Sequence, residues 1–164
     1  MRAAFRQFAA QGTGGNIAIT ASIASLTWAA DLLAYHTSKH AVVGLVHGGS
    51  VYGGPLGIRV NAVAPGIVPT ELFAAAASTS GGKNDMEQRA STTPLRRAGT
   101  AEEIAGVVAF LLSDDSAYVT GQIIAADGGA SIVNTVRPSG GAGAWDTTSV
   151  DEAIYGNTFQ RTGQ

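Results

Sequence analysis

The sequence predicts an α/β fold built on a parallel sheet, and three observations carry that expectation. Short apolar runs bounded by turn residues, near 16–21, 58–64 and 122–126, have the length and enclosure of buried strands. Stretches with helical spacing lie between them, so strands and helices alternate along the chain. A hydrophobic fraction of 45% with 22 glycines and only 13% charged residues suits a sheet covered on both faces and joined by tight turns.

Taken in order, residues 2–11 read as the end of a helix with Phe5 and Phe8 turned inward, stopped by Gly12-Thr-Gly-Gly15. Two arginines and no acid before Asp31 also fit a transit peptide, but the helix reading is preferred. The strand at 16–21 delivers Ser22, and residues 25–32 loop into a long helix carrying Tyr35, Lys39, Ala41, Val42 and Leu45. Gly48-Gly49 and Gly53-Gly54 should weaken its last turns, since an interior glycine costs roughly 1 kcal/mol relative to alanine.

Pro65-Gly66 ends the strand at 58–64. Residues 67–93 are polar and glycine-rich around Ser78-Thr-Ser-Gly-Gly82, as in a functional loop or a disordered segment. Thr100-Ala-Glu-Glu103 is a capping box, and Ile104, Val107, Val108, Leu111 and Leu112 form an apolar stripe behind it. Asp127-Gly-Gly129 closes the last strand. Residues 132–164 turn to Gly, Ser, Thr and Asn and read as a flexible extension or a docking arm, the flexible extension preferred, with a short helix starting near Ser149-Val-Asp-Glu152.

Composition narrows the function. A net charge of −2 without a basic stripe argues against a nucleic-acid partner. Zero cysteines exclude disulfides and thiolate metal sites, and fit a cytoplasmic setting. No apolar run reaches the ~18 residues of a membrane span, so no membrane partner is expected.

The chemistry concentrates at Ser22, Tyr35 and Lys39. Residues four apart share a helix face, so the phenol and the ammonium point the same way. Open α/β sheets bind ligands beyond the carboxyl ends of their strands, where Ser22 is delivered. A free phenol titrates near about pH 10, and a neighbouring cation favours its ionised form. Together these groups point to proton transfer, with Ser25 as a rival hydroxyl.

His36, His40 and His47 fall on one side of the same helix. His36 and His40 have the spacing of a metal pair but no acidic third ligand, so no metal is expected and a solvated or interface face is favoured. Arg96-Arg97 reads as a structural ion pair before the capped helix rather than a phosphate site, and Asn61 and Asp127 as residues that satisfy backbone groups at strand ends.

Four blocks occur in order: Ser22 with Tyr35-His-Thr-Ser-Lys39, Arg59-Val-Asn-Ala-Val-Ala-Pro-Gly66, Pro94-Leu-Arg-Arg-Ala-Gly-Thr-Ala-Glu-Glu-Ile-Ala105 and Tyr118-Val-Thr-Gly-Gln-Ile-Ile-Ala-Ala-Asp-Gly-Gly129. Together they resemble the short-chain dehydrogenase/reductase family over residues 1–131. The resemblance implies a partial doubly wound, Rossmann-type parallel sheet lacking the N-terminal βαβ units. It implies hydride transfer between a secondary alcohol or carbonyl substrate and NAD or NADP. In that reading Ser22 binds the substrate oxygen, Tyr35 is the acid/base, and Lys39 lowers the tyrosine pKa and holds the nicotinamide ribose. Pro65, Gly66, Val68 and Thr70 would form the nicotinamide-side loop, the Val68 amide and Thr70 hydroxyl meeting the carboxamide. Residue by residue, the same segment also reads as a Pro-Gly turn followed by a helix N-cap at Thr70. The family further implies that residues 67–93 close over substrate and that helices pair into homo-oligomers.

The sequence departs from the family: no G-x-G-x-x-G-like run follows a strand, and Gly12-Thr-Gly-Gly15 precedes one. The acidic or basic residue that reads the adenosine ribose and the family's proton-relaying Asn are missing too. The alternative is therefore a non-catalytic, truncated chain that acts as an oligomerisation or interaction module, its bare edge at 16–21 completed by another subunit.

Overall fold

The computed structural model describes residues 1–29, 32–70, 90, 93–133, 152–154 and 156. Its strands are β1 (Gly15–Thr20), β2 (Ile58–Pro65) and β3 (Ile123–Ala126), and its helices α1 (Arg2–Gln11), α2 (Leu33–Gly53) and α3 (Ala101–Leu112). The sheet has the order β1-β2-β3 and is parallel throughout. Gly15 to Thr20 pair with Ile58 to Val63, and Ala62 to Pro65 pair with Ile123 to Ala126. Parallel neighbours need crossover connections, which α2 supplies between β1 and β2 and the segment with α3 between β2 and β3. The expected strands stand within a residue or two of these bounds.

Alternation along β2 sorts its side chains between the two layers. Ala62 and Ala64 join Ala21 and Val46 in the core, with Ile19, Val42 and Ile123 packed against it. Arg59 and Asn61 turn the other way. The Arg59 guanidinium donates to the carbonyls of Leu111 (3.1 Å), Ser113 (2.8 Å) and Val119 (3.2 Å) and to Ser116 Oγ (2.9 Å). It thereby satisfies carbonyls that the end of α3 leaves without helical partners. Asn61 is fully buried, donates to Val119 O at 2.8 Å and accepts from Gln122 N at 2.9 Å, the backbone role expected for it.

Helix α1 ends at Gly12, whose φ of 69° suits glycine, and the Gly12 N–H donates to Phe8 O. Phe5 and Phe8 are half-buried, as an inward-facing pair should be. A Cβ on Gly15 would lie 2.4 Å from the Phe8 ring, so the start of β1 has room for α1 only because it lacks a side chain.

Two sequence expectations are corrected here. Helix α2 does not weaken at Gly48-Gly49 but runs unbroken to Gly53. A Cβ on Gly49 would come within 3.2 Å of Val60 Cγ1, and one on Gly53 within 2.9 Å of Ile58 O. These glycines let the helix settle directly on β2, and tertiary packing outweighs their low propensity. Leu112 does not belong to the inward stripe of α3. It is 44% exposed while Leu111 is buried, because adjacent residues stand about 100° apart round a helix.

The capping box forms as expected, with Thr100 Oγ1 accepting from Glu103 N (3.2 Å) and Glu103 Oε2 from Thr100 N (2.9 Å). Arg97 makes a two-pronged pair with the same carboxylate at 2.6 and 2.9 Å, the structural ion pair expected there. Residues 71–89, 91 and 92 of the 67–93 loop, and most of 132–164, lie outside the described residues, although 152–154 are helical.

Two outcomes follow from this packing. Among the described residues, nothing beyond the helix's own backbone lies within 4 Å of a Cβ built on Gly48, so Gly48→Ala should raise stability by about 0.5–1 kcal/mol in chemical denaturation. Gly53→Ala should instead lower it by about 1–3 kcal/mol; equal effects at the two positions would contradict the close seat on β2. The second outcome concerns Glu103, whose carboxyl is held down to about 2 by the Arg97 guanidinium first and the Thr100 N–H second. Its stabilising contribution should be complete above the ordinary glutamate value near 4.5 and disappear as pH falls through about 2. Titration of the Glu103 carboxyl by NMR should show that low midpoint, and Arg97→Gln should move it upward.

Candidate functional site

Just past β1, Ala21 extends the ladder by donating to Val63 O at 2.8 Å. Ser22 follows in extended conformation and caps a 3₁₀ turn, Ile23–Ser25, with its Oγ accepting from Ala24 N at 3.1 Å. The hydroxyl thus stands at the carboxyl end of β1, where the sequence placed it, and its own hydrogen is used by no described group.

The inward stripe of α2 contains Tyr35, Lys39, Val42, Val46, Gly49 and Gly53 at heptad-like spacing. Its later members pack on the sheet, whereas Tyr35 is 45% exposed. Lys39 Nζ lies 5.7 Å from the centroid of the Tyr35 ring and donates to Ala21 O at 3.3 Å. The lysine therefore reaches from α2 to the residue preceding Ser22. Among the described residues no hydrogen bond joins the Ser22, Tyr35 and Lys39 side chains to one another; the fold gathers them round one strand end.

Ser25 takes a different part. It is buried, and its Oγ donates to Lys39 O at 2.8 Å, which ties the loop to α2. The histidines need a correction, since His36 is 4% exposed rather than on a solvated face. Its Nδ1 lies 2.7 Å from Thr27 O and 3.1 Å from Ala24 O. Trp28 folds back over it, with ring centroids 5.4 Å apart, and over His40 at 4.4 Å. His40 directs its own Nδ1 to His36 O at 3.0 Å. Among the described residues, no three His, Cys, Asp or Glu side chains gather as a metal site.

The segment after β2 lies at the same end of the sheet. Pro65 is the last strand residue, and Gly66 donates to Ala126 O at 3.1 Å. A Cβ on Gly66 would lie 2.7 Å from Asp127 Cα, so this turn rests on the one after β3. Asp127 holds its own turn, accepting from Gly129 N and Ser131 N at 2.9 and 2.8 Å. Ile67 O accepts from Gly99 N at 2.9 Å, Val68 is half-buried and Thr70 exposed. Beside them a cleft of about 480 Å³ opens between Ile67, Leu95, Ile104, Val107 and Gly128.

Two features escaped the sequence reading. Arg59 interrupts an apolar strand, and a charge in such a run signals a waiting set of acceptors. The stack of Trp28 on His36 and His40 was visible only as an aromatic residue in the loop before two histidines one turn apart.

Residues 1–131 match a family model described as enoyl-(acyl carrier protein) reductase. The L-2,3-butanediol dehydrogenase of Corynebacterium glutamicum is 41% identical over 135 residues, covering 79% of this chain and 52% of that protein. The levodione reductase of Leifsonia aquatica is 39% identical over 124 residues, covering 74% and 46%. Among solved structures, a gluconate 5-dehydrogenase from Burkholderia cenocepacia J2315 in complex with NADP and tartrate aligns with a TM-score of 0.70 at 30% identity, over 79% of this chain and 49% of that one. The chain spans about half the length of these relatives.

Proposed function

Because the chain belongs to the short-chain dehydrogenase/reductase family and shares its Rossmann-type α/β sheet, we propose that its chemistry is NAD(P)-dependent oxidoreduction of a small secondary alcohol or carbonyl compound. The observation that carries this reading is the placement of Lys39 Nζ 5.7 Å from the ring of an exposed Tyr35, at the strand end that presents Ser22.

The donor set suits a nicotinamide nucleotide. Lys39 has three N–H donors and places one on Ala21 O, which leaves two for ribose hydroxyls. Val68 offers a backbone amide and Thr70 a hydroxyl for the carboxamide, on a loop that Pro65 and Gly66 set at the sheet end. When bound, the nicotinamide supplies or accepts the hydride. Tyr35 gives a proton to the substrate oxygen in reduction and takes it back in oxidation. The Ser22 O–H donates to the same oxygen and fixes its position. The Lys39 ammonium stabilises negative charge on the Tyr35 oxygen as the proton leaves.

A second copy of the chain is the partner in this reading. The outer side of α2 exposes Leu45, Val51 and Tyr52 at 54%, 74% and 79%, an apolar strip that self-association would cover. The other reading, an interaction module, draws on β1, which pairs only with β2 among the described residues.

The test is titration of the 164-residue chain with NADH and NADPH by nicotinamide fluorescence, followed by turnover of butane-2,3-dione. Saturable binding is expected, with turnover reduced about 10²–10⁴-fold in Tyr35→Phe while cofactor binding is retained. Lys39→Met should weaken both. A Tyr35→Phe variant as fast as wild type would overturn the assignment. A folded chain that binds neither nucleotide would leave the interaction module standing, and sedimentation would then identify its self-association.

A further inference from the structure

We propose that His36 is a positioning residue, one that ties the loop bearing Ser22 to α2 and so sets the Ser22 hydroxyl relative to Tyr35 and Lys39. The proposal rests on the reading of those three groups given above.

Both neighbours of His36 Nδ1, Thr27 O at 2.7 Å and Ala24 O at 3.1 Å, are acceptors only. Nδ1 therefore carries the hydrogen and shares it between them. Ala24 is the link to the site: its carbonyl is held by His36, and its N–H donates to Ser22 Oγ at 3.1 Å. A displacement of the loop away from His36 therefore moves the hydroxyl. The loop has a second tie, Ser25 Oγ to Lys39 O at 2.8 Å. The two ties end on the residue following Tyr35 and on Lys39 itself, so the helix that presents the acid/base and the cation also holds the loop that presents the hydroxyl.

Aromatic packing closes the arrangement. Trp28 lies nearly parallel to the His36 and His40 rings, at 19° and 24°, and Tyr35 meets His36 edge-on at 85° with centroids 6.2 Å apart. Trp28 is nonetheless 60% exposed, so it acts as a cover over the imidazoles rather than as core. His36, at 4% exposure, is the one ring in the stack enclosed on all sides. A purely structural histidine would lose stability on replacement and leave the balance of kinetic constants alone; a positioning histidine changes that balance.

The experiment compares wild type, His36→Leu, His36→Asn and His36→Gln in the full chain, by hydrogen–deuterium exchange and by NADPH- or NADH-dependent reduction of butane-2,3-dione. The Asn amide reaches the place of Nδ1, whereas the longer Gln places its amide near Nε2. In His36→Leu, exchange across residues 22–28 should rise roughly tenfold while residues 58–65 stay protected. Turnover should fall roughly 100-fold, with KM for the nucleotide within about twofold of wild type. His36→Asn should restore most of both properties and His36→Gln neither.

Unchanged exchange in residues 22–28 of the Leu variant overturns the proposal. Equal behaviour of Asn and Gln overturns it as well, and that comparison decides the matter if the Leu variant fails to fold. Loosening of the loop without a loss of turnover overturns the link to Ser22. A wild-type chain that reduces nothing counts against the oxidoreductase reading alone, and exchange in the Asn and Gln variants still decides whether His36 sets the loop.

Discussion

Parallel pairing on both sides of β2 is the constraint on which the rest of the structure depends. Parallel neighbours end at the same side of the sheet, so the turns after β1, β2 and β3 come together although they are far apart in sequence. Ser22, the Pro65–Thr70 segment and Asp127 are neighbours in the fold for that reason alone. The same pairing buries β2 between helices on both faces, and its polar residues must then find partners. Arg59 and Asn61 find them in the end of α3 and in the turn entering β3. A strand that satisfies itself in this way also fixes the two elements it bonds to.

Helix α2 turns the sheet geometry into a candidate site. Its inward stripe begins with Tyr35 and Lys39 and ends with Gly49 and Gly53 on β2. Only the later part has sheet beneath it. The first turns extend past the end of β1, where residues of the stripe face the crevice instead of the core. Close seating at the glycine end fixes the direction of the helix, and Lys39 Nζ on Ala21 O with Ser25 Oγ on Lys39 O ties down the other end. Errors of about 1 Å in a reacting geometry cost factors of about 100 in rate, and two anchors separated along a 21-residue helix restrict tilt far better than one.

What the sequence made legible was local or periodic. Turn-bounded apolar runs marked the strands, Thr100 and Glu103 marked a helix start, and Arg97 lay within reach of that carboxylate. Tyr35 and Lys39 share a face by spacing alone. What escaped depended on contacts distant in sequence. Gly48-Gly49 read as weakening the last turns of the helix because propensity was visible and β2, against which Gly49 packs, was not. His36 read as surface because its burial comes from a loop that folds back to lay Trp28 over it. Ser22 and Ser25 were chemically equal in sequence. They differ because one hydroxyl caps a turn and, among the described residues, gives its own hydrogen to no acceptor, while the other spends its hydrogen on Lys39 O.

The division of labour round α2 explains which changes it tolerates. One stripe seats the helix and presents Tyr35 and Lys39, and the next, through His36, holds the Ser22 loop. On the opposite side, an added Cβ at Gly44 or Gly48 would meet nothing within 4 Å among the described residues beyond the helix's own backbone, and Leu45, Val51 and Tyr52 are exposed. Side chains of that kind at 54–79% exposure retain most of the hydrophobic free energy that burial would release, at about 25 cal/mol per Å². Small residues between them would allow close approach by another surface, such as the second copy proposed above. Such a contact would brace the helix from outside, along the axis that carries Tyr35 and Lys39.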